Sequence, residues 1–222
     1  MERSEPSSFA LMFYTQVDKS STCWIGSKLK RSSIMSTNAL SLMSVYEGWD
    51  GHQLALVRTV APLSPAQLAW RGAPHLRSVG ELIAHIITGR IGWIHDILGV
   101  EGPEATQWLE TWSAGDTLKP GTEQDAAALV SGLEATWQMI EGALTSWTTD
   151  DLGKTLRHVW QGKTWAIPRQ WILWRIMDHD IHHGGELAFA LGMQNIAIPD
   201  LGDMGGHLTE VPLSEESSPS SE

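Results

Sequence analysis

Residues 174–187 read Trp174-Arg175-Ile176-Met177-Asp178-His179-Asp180-Ile181-His182-His183-Gly184-Gly185-Glu186-Leu187. Around them one stripe recurs at three and four residues: Ile172, Ile176, His179, His183, Glu186 and Ala190. That period is helical, and it sets two histidines where core residues belong. Side chains four apart on a helix have Cβ atoms about 5–6 Å apart. Two imidazoles so placed can share a cation, with metal–nitrogen bonds near 2.0–2.1 Å for zinc. Two buried imidazoles left without partners would instead cost free energy. The spacing therefore favours a metal over a pair of core histidines. Pro168 suits the first turn of this helix, and Gly192 suits its end.

The neighbours of the pair sharpen the reading. His179-Asp180-Ile181-His182-His183 resembles the H-E-x-x-H metalloprotease pattern, with Asp at the Glu position. Asp is one methylene shorter and no third ligand follows closely, so a protease is disfavoured. Asp178 and Asp180 are expected either to orient imidazoles as outer acceptors or to face solvent. His182 lies about 100° around the helix from His183 and is expected near the surface. Glu186, on the same stripe, is a candidate fourth ligand or general base.

A third ligand has to come from another helix. Ser78-Val79-Gly80-Glu81 is a capping box, in which the Ser78 hydroxyl takes the Glu81 amide and the carboxylate reaches back. Leu82, His85, Gly89, Trp93 and Ile97 follow on one face, and Gly99 is a natural stop. His85 thus stands mid-helix on a core stripe. Alone it would be read as a core histidine; with His179 and His183 it completes a three-nitrogen set. Three neutral nitrogens leave positions on a divalent ion for water or substrate, as catalytic metals require.

Two further helices complete the pattern. One covers about 37–60, with Val45, Trp49, His52 and Leu56 on a stripe and Pro62 and Pro65 as stops. The other begins at Thr122, with Leu129, Leu133, Trp137, Ile140 and Leu144 as its core face, and ends near Trp147. Residues 100–121 form a long crossover between the second and third helices. Residues 152–166 are either a short hairpin about Gly162 or an irregular lid, from which His158 and Trp160 could fold over the site. Four amphipathic helices with one long crossover describe an all-α four-helix bundle. His52 is a candidate proton-transfer or substrate-lining residue beside Trp49, with a core histidine as the alternative. Trp93 is expected in the core.

The whole-chain arithmetic bounds the function. The chain has 222 residues, 42% hydrophobic and 18% charged, with a formal net charge of −11. No apolar run reaches the roughly 18 residues a membrane span needs. The acidic balance argues against nucleic acid as a partner. A single cysteine, Cys23, excludes an internal disulfide framework and fits a reducing, cytoplasmic setting. Residues 200–222 carry six acidic side chains and no Lys or Arg. The expected organisation is a poorly ordered extension over 1–37, the bundle over 38–198 and a disordered acidic tail over 199–222. His75 and His207 are expected in solvent. No nucleophile elbow, P-loop or dinucleotide fingerprint is present.

His85 within Ser78–Ile86, followed far downstream by the 174–187 segment, resembles the DinB-like (damage-inducible, YfiT-like) superfamily. The resemblance spans about 39–193. It implies an up-down-down-up bundle and a divalent metal (zinc, nickel or manganese) held by His85, His179 and His183. It also implies a homodimer, and a small-molecule substrate handled by a thiol S-transferase or a hydrolase. Some relatives use a low-molecular-weight thiol, among them mycothiol-dependent maleylpyruvate isomerases and bacillithiol transferases. Others are called metal-dependent hydrolases and many have no assigned reaction, so a non-catalytic metal-binding or stress-response role stays open. Many members carry Arg-Gly-Gln where this chain has Gly184-Gly185-Glu186. The lost Arg removes an anion contact, and the two glycines are expected to admit another backbone closely.

Overall fold

The computed structural model describes residues 41–114, 117–119 and 121–198. The extension expected over 1–37 and the tail over 199–222, with Cys23 and His207, lie outside the described residues.

Helix α1 (Leu42–Val45) and helix α2 (Trp49–Val60) replace the single helix expected over 37–60. Gly48 takes φ 95° between them, a left-handed turn that interrupts the hydrogen-bond ladder. The break turns Val45 out to 51% exposure, while Trp49, His52 and Leu56 stay buried. Pro65 does not only stop a helix; it opens helix α3 (Pro65–Ala69) behind a Ser64/Gln67 capping box. Helix α4 (Val79–Arg90) starts as expected. The Glu81 amide donates to Ser78 Oγ at 3.2 Å, and the Ser78 amide donates to Glu81 Oε2 at 2.7 Å. It continues as a π-helical stretch, Ile91–Ile97, and ends before Gly99 at φ 68°.

The crossover is more regular than its composition suggests. It holds helix α5 (Pro103–Trp112) and a short ladder of β1 (Ser113–Ala114) with β2 (Thr117–Leu118). Trp108 anchors α5: its ring is buried and its Nε1 donates to the Ala128 carbonyl at 2.7 Å. Thr122–Gln124 is a single 3-10 turn, so helix α6 (Ala126–Ser146) begins four residues later than expected, capped by Asp125. After helix α7 (Thr149–Leu152), β3 (Thr155–Trp160) and β4 (Lys163–Pro168) pair antiparallel. The hairpin reading of this segment is the one observed, with Gln161 at φ 49° and Gly162 at φ 71° in the turn. Helix α8 (Arg169–Gly192) follows, with Pro168 just ahead of its first turn.

Side-chain contacts fix the direction of each long helix. Trp49 meets Trp137 and Gln53 meets Leu133, so α2 and α6 run antiparallel. Gly80 abuts Glu123 and Arg90 reaches Thr136, so α4 and α6 run parallel. His85 meets His183 and Trp93 meets Trp171, so α4 and α8 run antiparallel. The result is an up-down-down-up bundle. Its core includes Leu56, Ile83, Ile87, Leu133, Ile140, Ile176 and Leu187, all at 1% exposure or less. Each such side chain contributes about 1.5–3 kcal/mol on burial. The outer face of α8 differs: Trp171, Trp174, Ile181 and Phe189 are exposed. Among the described residues, no helix is long and apolar enough to cross a membrane.

Candidate metal centre

Helix α4 delivers His85, and α8 delivers His179 and His183, to one point between the two helices. The ring centroids are 4.9 Å apart for His85–His179, 4.7 Å for His85–His183 and 4.4 Å for His179–His183. One nitrogen of each lies within 4.8 Å of the other two. The Nε2 atoms of His85 and His179 are 3.3 Å apart. Tetrahedral bonds of 2.0–2.1 Å to one zinc ion would separate two nitrogens by about 3.3–3.4 Å, so the pair has the spacing of co-ligands. Gly89 makes this approach achievable. A Cβ there would sit 2.5 Å from His179 Cε1 and 3.0 Å from its Nε2. Any side chain one turn beyond His85 would occupy the space of the second imidazole.

Electrostatics keep the three rings in the ligating form. Burial lowers His85 to a pKa of about 3, against an ordinary 6.5, and the Arg77 guanidinium and the two other rings push the same way. Burial lowers His179 to about 3 as well, assisted by His183 and Arg175. His183 is also lowered by burial, but the Glu186 carboxylate opposes the shift. Neutral imidazoles keep a lone pair for a cation. Glu186 accepts a 2.7 Å hydrogen bond from Nδ1 of His183, which assigns the proton to Nδ1 and frees Nε2. Burial would raise the Glu186 carboxyl; the His183 hydrogen bond and charge override it, and the group sits below its ordinary range. Glu186 is 48% exposed at its side chain, so it leaves the core stripe on which the sequence had placed it. It stands behind His183, in the carboxylate–histidine arrangement that is used to orient metal-binding rings.

A second polar layer lies directly beside the imidazoles and was not anticipated. Asp180 neither faces solvent nor holds a histidine; it is fully buried. Arg90 Nε donates to its Oδ1 and Oδ2 at 3.0 and 3.1 Å, and Trp49 Nε1 donates to Oδ2 at 3.0 Å. Arg90 Nη1 donates to Gln53 Oε1 at 2.7 Å and to the Leu133 carbonyl at 3.3 Å. Arg90 Nη2 sits 2.9 Å from Asp180 Oδ2, an ion-pair contact off the line a hydrogen bond needs. One guanidinium thus ties α2, α4, α6 and α8 together. The sequence carries a trace of it: Arg90 is a lone charge amid Ile86, Ile87, Ile91 and Ile94. Asp178 is exposed and pairs with Arg175 at 3.0 Å.

The remaining expectations divide. His52 is buried, and its Nε2 lies 3.3 Å from the Asp180 carbonyl oxygen, the environment of a core histidine bonded to backbone. Trp93 packs edge-on against Trp171 at 5.6 Å, half-buried as a core contact. His158 sits opposite Trp165 in the hairpin ladder. Gly185 admits no close backbone, because a Cβ there would meet nothing within 4 Å. His75 is exposed as expected. A cleft of about 390 Å³ opens between α5 and α6, lined by Glu104, Gln107, Trp108, Glu134 and Gln138. It offers no imidazole, whereas the α4–α8 seam gathers three.

Comparison with solved structures gives the same architecture. A DinB-like protein from Bacillus cereus ATCC 10987 aligns with a TM-score of 0.54 at 18% identity, over 71% of this chain and 93% of that one. A conserved protein from Enterococcus faecalis aligns with a TM-score of 0.53 at 18% identity, over 68% and 96%. No curated protein matches the chain. The sequence profile of the DinB superfamily matches residues 49–187, a span that runs from the first residue of α2 past all three imidazoles, and the chain belongs to that superfamily.

Proposed function

We propose that the chain binds one divalent ion (zinc, nickel or manganese) through His85, His179 and His183. In this reading it is a metal-dependent enzyme of the thiol S-transferase or hydrolase type, acting on a small-molecule electrophile. The observation that carries the reading is the 3.3 Å approach of two neutral Nε2 atoms from separate helices, with a third ring alongside. An ion held there supplies Lewis acidity, which lowers the pKa of a coordinated water or low-molecular-weight thiol. The protein's own groups do the rest. Glu186 keeps the His183 proton on Nδ1 and, being half-exposed, is the group placed to exchange a proton with solvent or substrate. Gly89 keeps His179 against His85. His52 is assigned to the seam between α2 and α8.

Elemental analysis of protein purified without chelator tests the metal. Roughly one ion per chain is expected, as for a single three-histidine site, and His183→Ala should lose most of it. Wild-type protein without metal would overturn the reading. Activity is tested with the loaded protein on a panel of thiols paired with electrophiles, and on hydrolysable esters and amides. Stoichiometric metal with no turnover on any of these would leave a metal-binding protein without catalysis.

A further inference from the structure

We propose that His182 and Glu186 form a second, weaker transition-metal site on the exposed side of α8, and that filling it weakens Glu186 as the acceptor of the His183 proton. His182 Nε2 and Glu186 Oε1 are 3.3 Å apart, one helical turn from each other. That is again close to the donor separation of about 3.3 Å that one small divalent ion requires. The His182 side chain is 63% exposed and that of Glu186 is 48% exposed, so hydrated ions reach both. The His182 ring stands edge-on to His183 at 4.8 Å, which puts the second site against the first. An imidazole, a carboxylate and water make a donor set suited to zinc or copper.

The two sites share one carboxylate. Glu186 Oε2 accepts the His183 Nδ1 proton at 2.7 Å while Oε1 faces His182. An ion on Oε1 and His182 neutralises the carboxylate and weakens it as an acceptor. Removing the outer acceptor of a metal-bound histidine typically costs about 10–100-fold in metal affinity. Excess metal therefore loosens the primary ion, a limit on loading that lies within four residues of α8. The consequence for the primary ion rests on the three-histidine reading; the His182–Glu186 pair itself does not.

The test is a zinc titration of the metal-free full chain, followed by calorimetry and by proton NMR of imidazole N–H resonances. Wild type should show a tight step and then a step weaker by about 100-fold or more, as expected for two protein ligands in place of three. The downfield N–H resonance of His183 should move in the tight step, when its own ring takes the ion, and move again in the second. His182→Ala should keep the tight step with its shift of the resonance, and lose both the second step and the second shift. His182→Gln gives the same readout should alanine disturb the helix. A second step unchanged in both variants, or wild type with no second step up to millimolar zinc, overturns the proposal. Failure of the three-histidine reading looks different: the tight step is missing, or survives His85→Ala, while the weak step still depends on His182.

Discussion

One step along α8 separates His179 from Asp180, and one step along α4 separates Gly89 from Arg90. Yet the two levels are built on opposite principles. Asp180 and Arg90 are sealed at 0% exposure and matched charge to charge. The imidazoles beside them are neutral, and two of their nitrogens face each other at 3.3 Å without a carboxylate between. A rotation of about 100° per residue sends neighbouring side chains to different surroundings, so the same pair of helices carries both. The comparison separates two uses of buried polarity. The ion pair is complete within the chain and fixes the register of α4 against α8. The histidines meet one another and Glu186, and in the proposed reading a cation completes them.

The sharpest way to break that contrast is to unpair the sealed level. Asp180→Ala leaves Arg90 charged and buried, and should cost about 3–5 kcal/mol in urea denaturation. The double variant Arg90→Met with Asp180→Leu should lose less than Asp180→Ala alone, because no charge is stranded. Equal losses would show that the pair contributes by shape and not by charge.

Gly89→Ala attacks the seam between the levels. Its Cβ would collide with the His179 ring, so the ring must move. Overpacking of this kind costs about 1–3 kcal/mol, less the roughly 1 kcal/mol that Ala gains over Gly in a helix. Metal affinity should fall more visibly than the denaturation midpoint, and a calorimetric zinc titration reads it. Glu186→Gln should leave stability nearly unchanged while lowering metal affinity about 10–100-fold, because the partner of His183 Nδ1 loses its charge.

The remaining effect is the pH dependence of the metal-free protein, which is spread over several pH units. His85 and His179 are held near pKa 3 in the fold and return to about 6.5 when the chain unfolds. Below pH 6.5 the unfolded chain therefore binds more protons, and stability falls as pH drops from 6.5 towards 3. Urea midpoints measured between pH 7.5 and about 4.5 should decline, and His85→Leu should flatten the slope.

Much of this was legible in the sequence, for reasons of local chemistry. The Ser78 capping box, the His179/His183 spacing, His85 on its stripe and Gly162 in its hairpin each declare themselves within a few residues. What escaped depends on partners distant in the chain. Asp180 reads as an outer acceptor for an imidazole or a charge facing solvent, and its pairing with Arg90 emerges only when the bundle brings the two together across 90 positions. Glu186 falls on the core stripe by spacing, but the buried line passes from His183 through Leu187 and Leu191, and the carboxylate emerges beside it. Helix α5 was hidden because its burial rests on Ala105 and Trp108 only, with Trp108 reaching Ala128 on a later element. Gly89 could have been noticed: a glycine one turn from a buried histidine, on the same face, makes room for something.

X-ray absorption at the zinc edge of the loaded protein tests the convergence of the three rings most directly. The account predicts three imidazole nitrogens at about 2.0–2.1 Å, falling to two in His85→Ala. A shell of oxygens, or one with a single imidazole, would contradict it.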